Sequence, residues 1–270
     1  MGLFDSLKHT FNINGAEIAV LLNDPPHSQY DAVSGDVVIR GGELKQTAES
    51  VILELKEFWT ETQYNAATKT TTTVTKYRSH ATIGLAGRVS VEPGSELRLP
   101  FKTRLPLNCR VTQSGMGWQI WVSLDIPKAV DPKGHVSLDV RPGEEFRPVI
   151  EACESSLKFN ESGRHRKWNA RTGVMSFRLI PPEVLKKELD FMQLNLRQTE
   201  DSGVEGEVVF DLQEKSIGDY FKAIVNLDKV TEPLRLTRDQ LFLPDGDANT
   251  KAVSEVVGPL MVKTISDRID

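Results

Sequence analysis

Cysteine is scarce in this 270-residue chain, with only Cys109 and Cys153 present, and the two fall in what read as separate structural units. A secreted domain stapled by disulfides needs cysteines paired in a framework, so that class is excluded and a reducing compartment is expected. Long apolar runs are missing too. None approaches the roughly 18 residues that cross a bilayer, and no basic stretch leads into an apolar signal segment at the N-terminus. The expectation is a soluble, cytoplasmic protein.

An excess of positive charge is also absent. Lys and Arg number 33 against 38 Asp and Glu, for a net charge of −5, and neither half of the chain is basic. That balance excludes a nucleic-acid module built on a cationic face. Catalytic signatures are lacking as well: there is no G-x-S-x-G elbow, no phosphate loop, and no G-x-G-x-x-G after a strand. Gly115-Met116-Gly117 reads as a turn ahead of Trp118. The histidines at 9, 27, 80, 135 and 165 have no metal-ligand spacing, and most read as surface residues. Cys109 beside Arg110 reads as a small buried apolar residue and not as an activated thiol. The chain is expected to be non-enzymatic and to carry no cofactor.

What is present points to a folded, mostly β protein, with 39% hydrophobic and 26% charged residues. Extended segments are predicted over residues 17–22, 33–40, 50–60, 68–81, 89–91, 97–101, 118–126 and 135–140. Between 118 and 126 the alternation is strict: Trp118, Ile120, Val122, Leu124 and Ile126 share one face, and Trp121 points the other way. The Thr-rich run from Thr68 to Ala81 has no apolar face and reads as an edge strand. Pro93-Gly94 separates two short strands and predicts a hairpin. Leu3, Phe4, Leu7 and Phe11 recur at helical spacing and predict a short N-terminal helix. The helix reading is preferred to the myristoylation signal that Met1, Gly2 and Ser6 also fit.

At Pro142-Gly143 the period changes. Phe146, Val149, Ile150, Cys153 and Leu157 lie on one face of a helix expected over Glu144–Leu157. A domain boundary is therefore set there, giving domains 1–142 and 143–270. Further strands are predicted over residues 174–180, 189–196, 204–212 and 220–227, then a C-terminal helix over Thr250–Ile265 with Ala252, Val256 and Leu260 on one face. The fold class expected is mainly all-β: two tandem β-sandwiches with an N-terminal, a linker and a C-terminal helix.

The N-terminal half resembles the bacterial sporulation-control proteins of the SpoOM type, which have an arrestin-like fold. The resemblance rests on Val33-Ser34-Gly35-Asp36-Val37-Val38-Ile39 before Gly41-Gly42, on Leu99-Pro100-Phe101-Lys102-Thr103-Arg104-Leu105-Pro106, and on Trp118 through Asp131-Pro132. Within the last segment Trp118, Leu124-Asp125-Ile126 and Val130-Asp131-Pro132 keep the family's order and spacing, and Val140-Arg141-Pro142 closes the domain. What the resemblance implies is a pair of arrestin-like sandwiches and a cytoplasmic regulatory scaffold, with no catalytic residues to carry over.

Candidate sites are few. Asp245, Asp247 and Asn249 open like a calcium loop, but Thr250 and Val256 stand where Gly and a bidentate Glu belong, so turn and cap roles are expected. Arg164, Arg166 and Lys167 beside Trp168 form the densest cationic cluster, a candidate contact for an anionic partner. Trp121 is the candidate contact on the sheets. The leading expectation is a scaffold that binds proteins, with no nucleic acid and no integral membrane association; peripheral membrane contact and self-association stay open. The alternative is a β-sandwich that binds carbohydrate or another small ligand, with or without Ca²⁺, stacking it on Trp59, Trp118, Trp121 or Trp168.

Overall fold

The computed structural model of the chain describes residues 10–13, 16–23, 25–126, 133–162, 166–213 and 229–269. Several expectations lie outside them: Leu3, Phe4 and Leu7 of the first helix, the Met1-Gly2-Ser6 signal, Val130-Asp131-Pro132, Arg164 with His165, and the strand over 220–227. Phe11 is described, and its place in the expected helix is corrected. It belongs to a strand, paired in register with Ile18.

The chain divides into two compact units, Met1–Arg141 and Pro142–Asp270. The first contains β1 (Thr10–Ile13), β2 (Ala16–Leu22), β3 (His27–Ser28), β4 (Ala32–Arg40), β5 (Gln46–Ala48) and β6 (Ser50–Asn65). These are followed by β7 (Thr70–Ala86), β8 (Val89–Val91), β9 (Glu96–Arg104), β10 (Met116–Asp125), β11 (Lys133–Leu138) and β12 (Val140–Arg141). Two four-stranded antiparallel sheets, ordered β1-β2-β4-β9 and β11-β10-β6-β7, face each other as a sandwich. Between them lie Ile18, Val20, Val37 and Ile39 from one sheet and Val51, Leu53, Leu55, Trp118, Ile120 and Val122 from the other. The apolar residues at every second position meet here, because successive side chains of a strand point to opposite faces.

The hairpin expected around Pro93-Gly94 does not form. Gly94 does take a left-handed φ of +68°, but β8 pairs with β5 and β9 pairs with β4. The turn binds Gly41 instead: the Gly94 N–H donates to Gly41 O at 3.1 Å and the Gly41 N–H to Ser95 O at 3.0 Å. A Cβ on Gly41 would lie 2.1 Å from Glu92 O, so this close approach requires glycine. Turn chemistry was read correctly, and a distant glycine decided the pairing.

In the second unit a 3₁₀ turn at Glu144–Phe146 runs into α1 (Arg147–Ser155), with Pro148 in its first turn, where a missing N–H costs nothing. Phe146, Val149, Ile150 and Cys153 are buried as the helical spacing predicts. The strands β13 (Asn160–Glu161), β14 (Lys167–Trp168), β15 (Met175–Ile180), β16 (Leu189–Gln198), β17 (Val204–Leu212) and β18 (Lys229–Leu236) form one sheet. After them come α2 (Arg238–Leu241) and α3 (Thr250–Ile269). Among the described residues the layer against this sheet is helical: α1 packs on α3, and Phe146 meets Phe177 at 5.6 Å between ring centres. The buried face of α3 carries Val253 and Val257, one residue round from the expected stripe of Ala252, Val256 and Leu260, which is only half-buried.

Candidate functional site

The hairpin of β6 and β7 outruns the sandwich. β10 covers the β6 edge only between Ser50 and Trp59, while β6 and β7 stay paired out to Asn65↔Thr70. Beyond Trp59 the two strands continue as a ribbon, and Thr60–Asn65 and Thr70–Thr73 are exposed on both faces. Thr-rich sequence favours the extended backbone, and cross-strand pairs such as Thr60↔Thr75 and Thr62↔Thr73 add to it. The edge position expected for the Thr run is observed, since β7 ends its sheet.

At the ribbon's base the two faces differ. On the outer face Trp121 stands over the sheet as its alternation predicts, but three neighbours enclose it and leave it half-buried. His135 stacks on it at 4.7 Å, Tyr77 meets it edge-on at 5.8 Å, and the Lys56 ammonium sits 5.0 Å from its ring centre. Its indole N–H donates to Gln119 Oε1 at 3.0 Å. Phe58 lies 6.4 Å from Tyr77, which is 49% exposed, so these residues form an accessible aromatic platform with a cation at its edge.

The inner face holds a charge cluster. Glu57 is only 4% exposed, and three basic side chains surround it: Arg110 Nε at 3.7 Å, His80 Nε2 at 3.5 Å and Arg78 at 3.6 Å. Arg110 lies over the Trp59 ring at 5.0 Å, and its carbonyl accepts the Trp118 indole N–H at 2.6 Å. Burial lowers the His80 pKa, with Arg78 adding to the shift and Glu57 opposing it. His80 is the extra residue of a β-bulge, because Leu55 pairs with Ala81 and Lys56 with Ser79. His27 departs from the surface reading given to most of the histidines, as it is 3% exposed; His80 keeps an exposed backbone position while its side chain packs against Trp118 at 4.8 Å.

No residue of this cluster was singled out in the sequence. The signal was there: Glu57 falls at the same parity as Val51, Leu53 and Leu55, where a carboxylate has to find buried partners.

The other candidates separate. Arg166 is held by Glu161 through two hydrogen bonds of 2.5 Å, and that pairing raises its pKa. Lys167 lies opposite Ser176 on the sheet's outer face, and Trp168 is half-buried. Arg164 lies outside the described residues. Asp245 accepts the Asp247 N–H at 3.1 Å, and Asn249 caps α3 by accepting the Ala252 N–H at 3.2 Å.

Of the four tryptophans proposed as stacking surfaces, Trp118 is fully buried and Trp59 is covered by Arg78 and Arg110. A polar trough in the second unit contains Ser176, Gln193, Asn195 and Glu207. Its groups bond one another, with Ser176 to Asn195 at 2.7 Å and Asn195 to Glu207 at 2.9 Å. Burial pushes both cysteine thiols up to about 12, which leaves no ready thiolate.

These features define a mainly β protein of two units with a projecting ribbon and an aromatic platform at its base. A family model described as SpoOM protein matches residues 4–210, and the chain belongs to that family. It is similar to the sporulation-control protein spo0M of Bacillus subtilis (strain 168), at 24% identity over 223 residues, covering 81% of this chain and 83% of that protein. The crystal structure of Spo0M from Bacillus subtilis matches with a TM-score of 0.60 at 20% identity, over 93% of this chain and 99% of that one. Among the described residues no helix is long and apolar enough to cross a membrane.

Proposed function

We propose that this protein is a cytoplasmic, non-enzymatic regulatory adaptor that binds protein partners through the outer face of its first unit. Membership of the SpoOM family supports the regulatory role. The observation that carries the binding role is the platform of Trp121, Tyr77, Phe58 and His135 beside the projecting ribbon. Aromatic residues with a polar edge are typical anchors of protein interfaces, since they bury much area with few torsions to fix.

The test is affinity capture of the tagged protein from its own cells, wild type beside Trp121→Thr. Recovery of a reproducible set of proteins that the variant loses supports the reading. Equal recovery by both moves the interface elsewhere. An empty capture, together with a thermal shift on a panel of sugars, would replace the reading with small-ligand binding.

A further inference from the structure

We infer that the free edge of β7 accepts an extended segment of a partner as an added strand, and that this segment alternates acidic with aromatic or β-branched residues. The inference rests on the protein-binding reading and names the chemistry of the partner.

Three observations lead to it. First, β7 is the last strand of its sheet, and among the described residues no backbone hydrogen bond reaches its outer side. An open edge of this kind supplies a ladder of N–H and C=O groups to an incoming strand.

Second, the charge on this edge has one sign. From residue 66 to 91 there is no Asp or Glu, although the chain has 38 of them, and the same span carries Lys69, Lys76, Arg78 and Arg88. Lys69 and Lys76 are in no ion pair among the described residues. Arg78 reaches Glu57 but stays 66% exposed, with donors to spare. A second copy of the chain is a poor occupant. Two β7 edges side by side would set Lys76 and Arg78 against another cationic strand, with no acid in the span to compensate. The charges that oppose self-pairing favour an acidic partner.

Third, the two faces of β7 differ in register. Lys76 and Arg78 lie opposite Trp59 and Glu57 on the inner face, and Tyr77 lies opposite Phe58 on the outer face beside Trp121. Side chains of an added strand alternate with the same period of two. One set therefore meets Lys76 and Arg78, and the other meets Tyr77. The recognition pattern is acid on one face and aromatic or branched apolar on the other.

The experiment uses the full-length protein and three synthetic peptides of about nine residues, the span of Thr70–Arg78 in an extended strand. One alternates Glu with Val and Phe, the second shuffles the same residues so that the alternation is lost, and the third replaces Glu by Lys. Binding is followed by fluorescence anisotropy, and the site by amide hydrogen exchange. The alternating peptide is expected to bind and to protect alternate amides between Thr70 and Arg78. The shuffled and Lys peptides should each bind at least tenfold more weakly, and a protein carrying Lys76→Glu and Arg78→Glu should lose at least tenfold. Tyr77→Thr, which keeps strand propensity, should lose severalfold.

Equal binding of the shuffled peptide, or binding without protection in β7, would overturn strand addition. Protection of β7 without peptide that rises with protein concentration would make a second copy the occupant. If no peptide binds while Trp121→Thr still loses captured proteins, this inference fails and the adaptor reading stands. The peptide series needs no protein variant, so the outcome does not depend on the folding of any mutant.

Discussion

The two halves of the β6–β7 hairpin share a backbone but not an environment. Along the inner face, β6 reads Val51, Leu53, Leu55 and then Glu57, Trp59, Glu61, Gln63, Asn65. The first three are fully buried against the facing sheet, and from Thr60 onward the strand is exposed on both sides. Extended structure thus persists where the core does not, since Thr-rich strands and their cross-strand pairs hold their shape without burial. An isolated two-stranded ribbon is marginal in water. This one is anchored by the part of the same hairpin that sits in the sandwich, with the Glu57 cluster at the change-over.

The largest effect belongs to the anchored half. Trp118→Ala removes a fully buried ring that also bonds Arg110 O, and it should cost about 3 to 5 kcal/mol of stability in urea unfolding. A loss below about 1 kcal/mol would mean that the sandwich does not anchor the hairpin as described.

Next comes the boundary itself. Glu57→Gln leaves Arg110 buried beside a neutral group and should cost about 3 kcal/mol. Glu57→Met combined with Arg110→Met should cost less than the single change, because no uncompensated charge remains. A double variant as unstable as the single one would show that packing, and not charge, fixes the cluster.

The pH dependence is a smaller effect. His80 has a lowered pKa in the folded protein, caused first by burial, with Glu57, Arg78 and Arg110 facing it. Its neutral form therefore favours the fold above its ordinary pKa of 6.5, and that contribution is lost as pH falls from there through the lowered value. His80→Gln should make stability fall less between about pH 7 and pH 5 than it does in the wild type. Identical slopes would remove His80 from the boundary's titration.

Smallest is the free half. Tyr64, 65% exposed near the ribbon's tip, should change stability by less than about 0.5 kcal/mol when replaced by Thr. A larger loss would mean that the ribbon packs on something.

Much of the first unit was legible because its strands alternate cleanly. Trp118, Ile120, Val122 and Leu124 announced both their strand and their burial, and the Thr run announced an edge. Phe146 to Cys153 announced α1 by the same logic at helical period. The site was less legible. Trp121 was found from parity alone, but its enclosure depends on Tyr77, Lys56 and His135, which arrive from three other strands. Glu57 was missed because a carboxylate among charged neighbours looks like surface until its parity is counted. Arg110, its deepest partner, comes from a loop, and no period reports such a meeting. The Pro93-Gly94 turn was misread for a related reason, as its partner Gly41 lies far off in sequence.

The bulge at His80 sets the phase of the ribbon. On its sandwich side the odd residues Ala81 and Ile83 face inward, and on its far side the even residues Lys76 and Arg78 do. One extra residue thus works as a frame shift written in space. Drawing His80 into a regular ladder, with no bulge, would turn the strand's far half over, carrying Tyr77 to the inner side and the two cations out beside Trp121. Which chemistry the protein shows on each side of its arm is in this sense a matter of counting, and the count can change without any change in the residues displayed.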